Sequence, residues 1–206
     1  MAVTGADVSL PREHFDDLWA AEADPWGLES SWYEDRKRAL VLAALPDAGY
    51  RRAAEPGCAG GALSRLLAPR CAELVCTDLN DTAVRRARSR LAGFDHVSVE
   101  CTAAFPPGRF DLVVVSELAY YFGRADRDAF WARAVDALDP GGTLVAVHWI
   151  RPAPEYPVDG NRVHDELVAL PGLARLAEHR EDDFRLDVLV RTPPAARSVA
   201  QRVGLR

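Results

Sequence analysis

The chain has 206 residues, 49% of them hydrophobic and 27% charged, with a formal net charge of −6 at pH 7. That composition fits one globular domain with a small cap and excludes a collagen-like, low-complexity or wholly disordered chain. The acidic balance argues against a nucleic-acid partner, which calls for a basic face.

The opening stretch to Asp17 has no apolar core behind a basic start, so it does not read as a secretory signal. Residues 13–23 predict a short amphipathic helix, Asp24–Gly27 a turn, and residues 30–45, with Leu40, Leu42 and Leu45, a second helix ended by Pro46. These make an N-terminal helical cap over 1–46. From residue 47 the texture changes. Residues 50–57 predict a strand running into a Gly-rich turn, 60–68 a helix, 73–78 a strand and 81–92 a helix. In that helix Arg85, Arg86, Arg88 and Arg90 read as a solvated face rather than a phosphate-binding stripe. Strands follow at 96–101 and at 110–117, the latter apolar enough to be buried on both faces. A helix at 126–138, a turn at 139–142 and a strand at 143–149 complete a pattern that implies a parallel α/β sheet with right-handed crossovers.

Beyond residue 150 the Pro-rich stretch 151–161 predicts a loop and 163–170 a helix. Segments 173–179 and 184–191 predict a terminal antiparallel pair closing a core over 47–191, and 192–206 a loose tail. No run approaches the ~18–20 apolar residues of a membrane span, so no membrane partner is expected. Cys58, Cys71, Cys76 and Cys101 lack the two-residue spacing of zinc knuckles or redox loops and read as reduced thiols of a cytoplasmic protein.

The sharpest motif is Glu55-Pro56-Gly57-Cys58-Ala59-Gly60-Gly61, between a strand and a helix. Its glycines let the backbone turn tightly against a ligand, and the following helix start presents free N–H groups. The full G-x-G-x-x-G spacing of dinucleotide enzymes is absent, which counts against a nicotinamide oxidoreductase. An acid two positions before the first glycine suits a cationic ligand, and S-adenosylmethionine carries an ammonium and a sulfonium. Asp78 ends the second strand, where a carboxylate can accept both hydrogen bonds of a ribose diol.

These residues, followed by Phe110–Glu117 and Leu138–Val145, resemble the class I S-adenosylmethionine-dependent methyltransferases over about residues 50–150. The resemblance implies a Rossmann-like, seven-stranded, mostly parallel sheet with helices on both faces. It places Glu55, Gly57 and Gly61 beside the methionine part, Asp78 on the ribose, Thr102 and Ala103 near the adenine, and Ser116 and Glu117 in the methyl-donor pocket. Ala59 stands where the family commonly has glycine, and no Asp follows the third strand. The flanks, Asp24–Pro46, Ser116–Phe122 and Val145–Trp149, narrow the resemblance to the nodulation N-methyltransferase (nodulation protein S) family. Those enzymes methylate an amino group of a chitooligosaccharide, which implies a small-molecule acceptor, a sugar or oligosaccharide, here expected to be methylated on a hydroxyl or an amino group. A non-catalytic donor-binding module and a methyltransferase for a non-carbohydrate natural product are the alternatives.

For the acceptor, Trp32 and Tyr33 are expected to cover the cofactor, and Arg36 to meet the donor carboxylate or a surface acid. Tyr120, Tyr121 and Trp149 fall at carboxyl ends of strands, where open α/β sheets bind ligands, and amphipathic aromatics suit sugar rings. His148 ends the fifth strand and is the expected general base for a sugar hydroxyl, with Glu117 across the crevice as the next candidate. His164 follows the Pro-rich loop and is expected to enter the site. The acids announce no metal centre; a divalent cation such as magnesium, which takes hard oxygen ligands, is left open. A homodimer is compatible with the chain.

Overall fold

The computed structural model describes residues 8–206; the first seven residues of the expected cap lie outside the described residues. Helices α1 (Arg12–Ala21) and α2 (Trp32–Ala44) precede an alternation of β1 (Ala53–Pro56), α3 (Ala62–Leu67), β2 (Leu74–Asp78), α4 (Asp81–Leu91), β3 (Val97–Cys101), β4 (Phe110–Ser116), α5 (Arg124–Ala137) and β5 (Leu138–Trp149). Helix α6 (Gly160–Val168), strands β6 (Leu173–Arg180) and β7 (Phe184–Arg191), and a short α7 (Val199–Arg202) follow. The strands form one seven-stranded sheet in the order β3-β2-β1-β4-β5-β7-β6. All neighbours are parallel except β5–β7 and β6–β7.

The two-residue period of the strands divides the core. Along β4, Leu112 and Val114 face a cluster with Leu63 and Leu67 of α3 and Ala87 and Leu91 of α4. Val113 and Val115 face the opposite cluster, with Trp131 of α5 and Leu167 of α6. Helices therefore cover both faces. The Asn80 side chain accepts N–H bonds from Thr82 and Ala83 and fixes where α4 begins, directly after Asp78.

The sequence placed a turn at 139–142. The structure instead bulges those residues out of one continuous β5: Phe110 pairs with Leu138 and Leu112 with Thr143. Helix α6 starts at Gly160, earlier than expected, because Asp159 caps it through the Arg162 N–H. The tail is not structureless either; Ser198 and Gln201 form a capping box on α7, and Arg202 pairs with Asp47. Among the described residues, no helix is long and apolar enough to cross a membrane.

The N-terminal segment lies over the carboxyl edge of the sheet. The Leu10 N–H donates to the Tyr121 carbonyl (2.9 Å) and the Asn80 side-chain amide to Asp16 (2.7 Å). Phe15 packs edge-on against Tyr121, and buried Trp19 against Trp26.

Candidate active site

A cavity of about 930 Å³ runs along the carboxyl ends of β1, β2, β3 and β4 beneath α1, α2 and the segment joining them. Its size is at the upper end of ordinary small-molecule sites.

At one end stands the turn from β1 to α3. Gly57 has φ +71°, and a Cβ there would come within 2.9 Å of the Leu118 side chain. Ala59 holds a positive φ of 48° without being glycine, and its N–H donates to Asp78 Oδ2 (2.9 Å). The Asn80 N–H donates to the other oxygen, Oδ1 (2.9 Å). Asp78 thus ties the loops after β1 and β2 together and still lines the cavity. Burial raises its carboxyl above the ordinary value, against those same N–H bonds. Glu55 is 2% exposed, and burial raises its carboxyl to about 7. Thr102, Ala103 and Ser116 also line the wall, joined by Phe105, which packs on Phe130 of α5.

At the other end Glu117 adopts φ 52°, an uncommon conformation for a non-glycine residue. Its Oε1 accepts from Lys37 Nζ (2.6 Å), and its Oε2 from the Tyr120 hydroxyl (2.5 Å) and the Trp149 N–H (2.9 Å). Lys37 is 3% exposed and also donates to Glu34 (2.6 Å). Burial lowers the Lys37 pKa, but Glu117 and Glu34 outweigh it and hold the ammonium above the usual lysine range. Burial dominates Glu34 and raises its carboxyl. Tyr120 stacks on Tyr156 (4.6 Å between ring centres), and Tyr33 meets Trp149 edge-on (5.9 Å). The Tyr33 hydroxyl is buried with no hydrogen-bond partner among the described residues, and burial raises its pKa.

The structure therefore gathers Glu55, Gly57, Asp78, Thr102, Ala103, Ser116, Glu117, Tyr33, Tyr120, Tyr121 and Trp149 around one cavity. Five expected residues lie elsewhere. His148 is fully buried and off the wall; its Nε2 accepts the Ala119 N–H (3.1 Å), leaving no lone pair for a substrate proton. His164 is equally buried, between His148 and Asp187. Arg36 points away and makes a two-pronged pair with Glu181 on the surface (2.8 and 2.7 Å). Trp32 is 76% exposed at the first position of α2, off the wall. Gly61 caps α3 with φ +76° and packs against Ala87 of α4, so it serves helix packing rather than the cavity wall.

Sequence reasoning missed Lys37, Glu34 and Tyr156. Lys37 lies four residues after Tyr33 on α2, and such residues share a helix face, a spacing that separates it from Arg36. Tyr156 sits in the Pro-rich loop, where no periodicity marks it. Among the described residues, no group of three or more His, Cys, Asp or Glu is arranged to hold a metal ion.

The family model described as Nodulation protein S (NodS) matches residues 15–146. Nodulation protein S of Bradyrhizobium diazoefficiens is 35% identical over 127 residues, 59% of this chain and 61% of that protein. That of Rhizobium tropici is 35% identical over 130 residues, 61% of this chain and 55% of that one. The chain thus matches less than two thirds of the length of these relatives. The crystal structure of N-methyltransferase NodS from Bradyrhizobium japonicum in complex with S-adenosyl-L-homocysteine superimposes with a TM-score of 0.76 at 25% identity, covering 87% of this chain and 97% of that one. A Pseudomonas syringae protein of known crystal structure is similar at 45% identity, with a TM-score of 0.70 over 78% of this chain and all of that one.

Proposed function

Because this chain belongs to the nodulation protein S family, we propose that it is an S-adenosylmethionine-dependent methyltransferase acting on an amino group of a small molecule, a sugar or oligosaccharide. The observation that carries this reading is the single cavity that joins the Asp78 wall to the Glu117 cluster, so donor and acceptor share one chamber.

The residues at the first end fit the donor. A carboxylate offers about four lone-pair sites. Each Asp78 oxygen spends one on a backbone N–H, which leaves two for a ribose diol. Glu55 supplies a buried carboxylate for the donor ammonium, and Gly57 keeps the wall bare of a Cβ that would collide with Leu118. When bound, the donor supplies an electrophilic methyl carbon on a positively charged sulfur.

At the second end the carboxylates Glu34, Glu117 and, further out, Asp35 alternate with the cations Lys37 and Arg38, three negative groups against two positive, leaving an excess of negative charge. That excess favours an amine arriving as a cation. Glu117 accepts three hydrogen bonds in place and has one lone-pair direction left for an acceptor N–H. It is also the wall group suited to take the proton the amine sheds before its lone pair attacks. Tyr120, Tyr156 and Trp149 give apolar faces with polar tips for a sugar ring. The protein's contribution is orientation in a chamber roofed from water.

The test is incubation with isotopically labelled donor and a panel of amino sugars, neutral sugars and oligosaccharides, with the methylated atom read by NMR. Methyl label on a sugar nitrogen is expected. Label only on hydroxyls would shift the reading to O-methylation, with Glu117 as base. Tight binding of S-adenosylhomocysteine without transfer to any acceptor would mean a donor-binding module.

A further inference from the structure

A chain of buried polar groups behind the cavity has no role in the reading above. The Ala119 N–H donates to His148 Nε2 (3.1 Å), His148 Nδ1 meets His164 Nε2 (3.1 Å), and His164 Nδ1 meets Asp187 Oδ2 (2.7 Å). His148, His164 and Asp187 come from β5, α6 and β7, and all three are fully buried.

The hydrogen-bond directions are forced. An amide N–H only donates, so His148 Nε2 is bare and its one proton sits on Nδ1. That proton goes to His164 Nε2, which is therefore bare, and His164 donates through Nδ1 to the carboxylate. Arg185 donates to the same Asp187 oxygen (2.9 Å) and is itself held by Asp165 (2.7 Å) and Glu178 (3.3 Å). Arg175 lies 3.6 Å from the other oxygen. Burial raises Asp187, but His164, Arg185 and Arg175 outweigh it and hold the carboxyl below its ordinary value. Burial, the neighbouring His164 and the Lys37 charge from α2 push His148 well below the usual histidine value, which keeps it the neutral acceptor the geometry requires.

What the chain grips is the tight helical turn Ala119–Tyr121. Three surfaces of the site meet there: Tyr120 bonds Glu117, Tyr121 packs under Phe15 of α1, and Leu118 lies against Gly57. We propose that His148, His164 and Asp187 are positioning residues that, by holding the Ala119 amide, fix Tyr120 and Glu117 for the acceptor. The assignment of that face to the acceptor rests on the function proposed above; the hydrogen-bonded chain does not.

Two measurements separate those dependencies. Nitrogen NMR of the labelled wild-type protein is expected to show His148 with bare Nε2 and protonated Nδ1 between about pH 6 and 8. A protonated Nε2 overturns the proposal whatever the enzyme methylates. The second measurement compares His148→Phe with His148→Gln, in which an amide oxygen can replace Nε2 as acceptor. Folded His148→Phe is expected to lose roughly 10–100-fold in kcat/KM for the amino-sugar acceptor. Its affinity for S-adenosylhomocysteine should stay within about twofold, a change near the limit of measurement. His148→Gln is expected to recover most of the loss, as no replacement of a catalytic base would. A folded His148→Gln as impaired as His148→Phe, or a His148→Phe with wild-type acceptor kinetics, overturns the proposal. If the wild type methylates no member of the panel, the functional reading fails, and the NMR result together with amide exchange at Ala119 decides the relay alone: fast exchange in the wild type sinks it.

Discussion

At the scale of single residues, two carboxylates make separable predictions. Asp78→Ala removes the proposed ribose acceptor as well as the tie between two loops, so donor affinity should fall by about 1.5–3 kcal/mol. Calorimetry with S-adenosylhomocysteine reads this, and wild-type affinity would remove Asp78 from the site. Glu55 is the second case. Its carboxyl is raised by burial from 4.5 to about 7, so ionising it costs the folded protein. That cost is absent below the unfolded value and complete above about 7, so stability falls as pH rises through the window between them. Glu55→Gln should therefore gain stability on the order of 2 kcal/mol at pH 8 and nothing near pH 4 in thermal melts without donor. Donor affinity moves oppositely. The carboxylate proposed to meet the donor ammonium appears only as pH rises toward about 7, and the amine loses its own proton near ~8, so affinity should peak between them. The glutamine variant should lose the acid limb of that profile. These acids were legible in the sequence because each sits at the end of a strand beside a glycine or a helix cap. His148 was misleading for the same reason: a strand end predicts proximity to the site, while the direction of the side chain depends on α6 and β7, more than ten residues further on.

Among the elements, the cap carries the next prediction. Helix α1 is held by side-chain contacts, Phe15 on Tyr121, Trp19 against Trp26 and Arg86, Asp16 on Asn80 and Arg12 on Asp81, while the sheet beneath is held by full ladders. Local opening there should cost less than global unfolding. Amide exchange in 9–31 and around Tyr156 should slow when S-adenosylhomocysteine binds, with β4 and β5 unchanged. Equal exchange with and without it would mean that the cap does not respond to ligand. The helices and strands were readable because apolar period and caps coincide, as where Asn80 follows Asp78. Helix α2 was readable as a helix, yet its functional face was not. Tyr33, Glu34, Lys37 and Arg38 form its cavity side, while Arg36 on the far side pairs with the β6–β7 hairpin. Which side of a charged helix turns inward is settled by what packs against it, and Glu117 lies 80 residues away from Lys37.

For the molecule as a whole, the parallel α/β sheet was legible because strands and helices alternate, and so was the final antiparallel pair from two adjoining apolar-rich segments; the seven strands came with the family resemblance, and their order β3-β2-β1-β4-β5-β7-β6 is read from the structure. The arginines of α4 are occupied as a structural face: Arg88 bonds the Val99 carbonyl, and Arg90 pairs with Glu29 and bonds the Gly60 carbonyl. The roof, though, spans both ends of the chamber; Phe15 and Trp19 reach it from α1, and Tyr33 and Lys37 from α2. A shared roof couples the departures of two products. On the proposed function, the demethylated donor and the methylated acceptor would both leave past this one cover, and its opening is expected to pace turnover. Turnover at saturating substrates should then fall in proportion as sucrose or glycerol thickens the buffer, and a small deletion that loosens α1 should blunt that friction. Turnover indifferent to viscosity would put the bottleneck in the bond-making step instead.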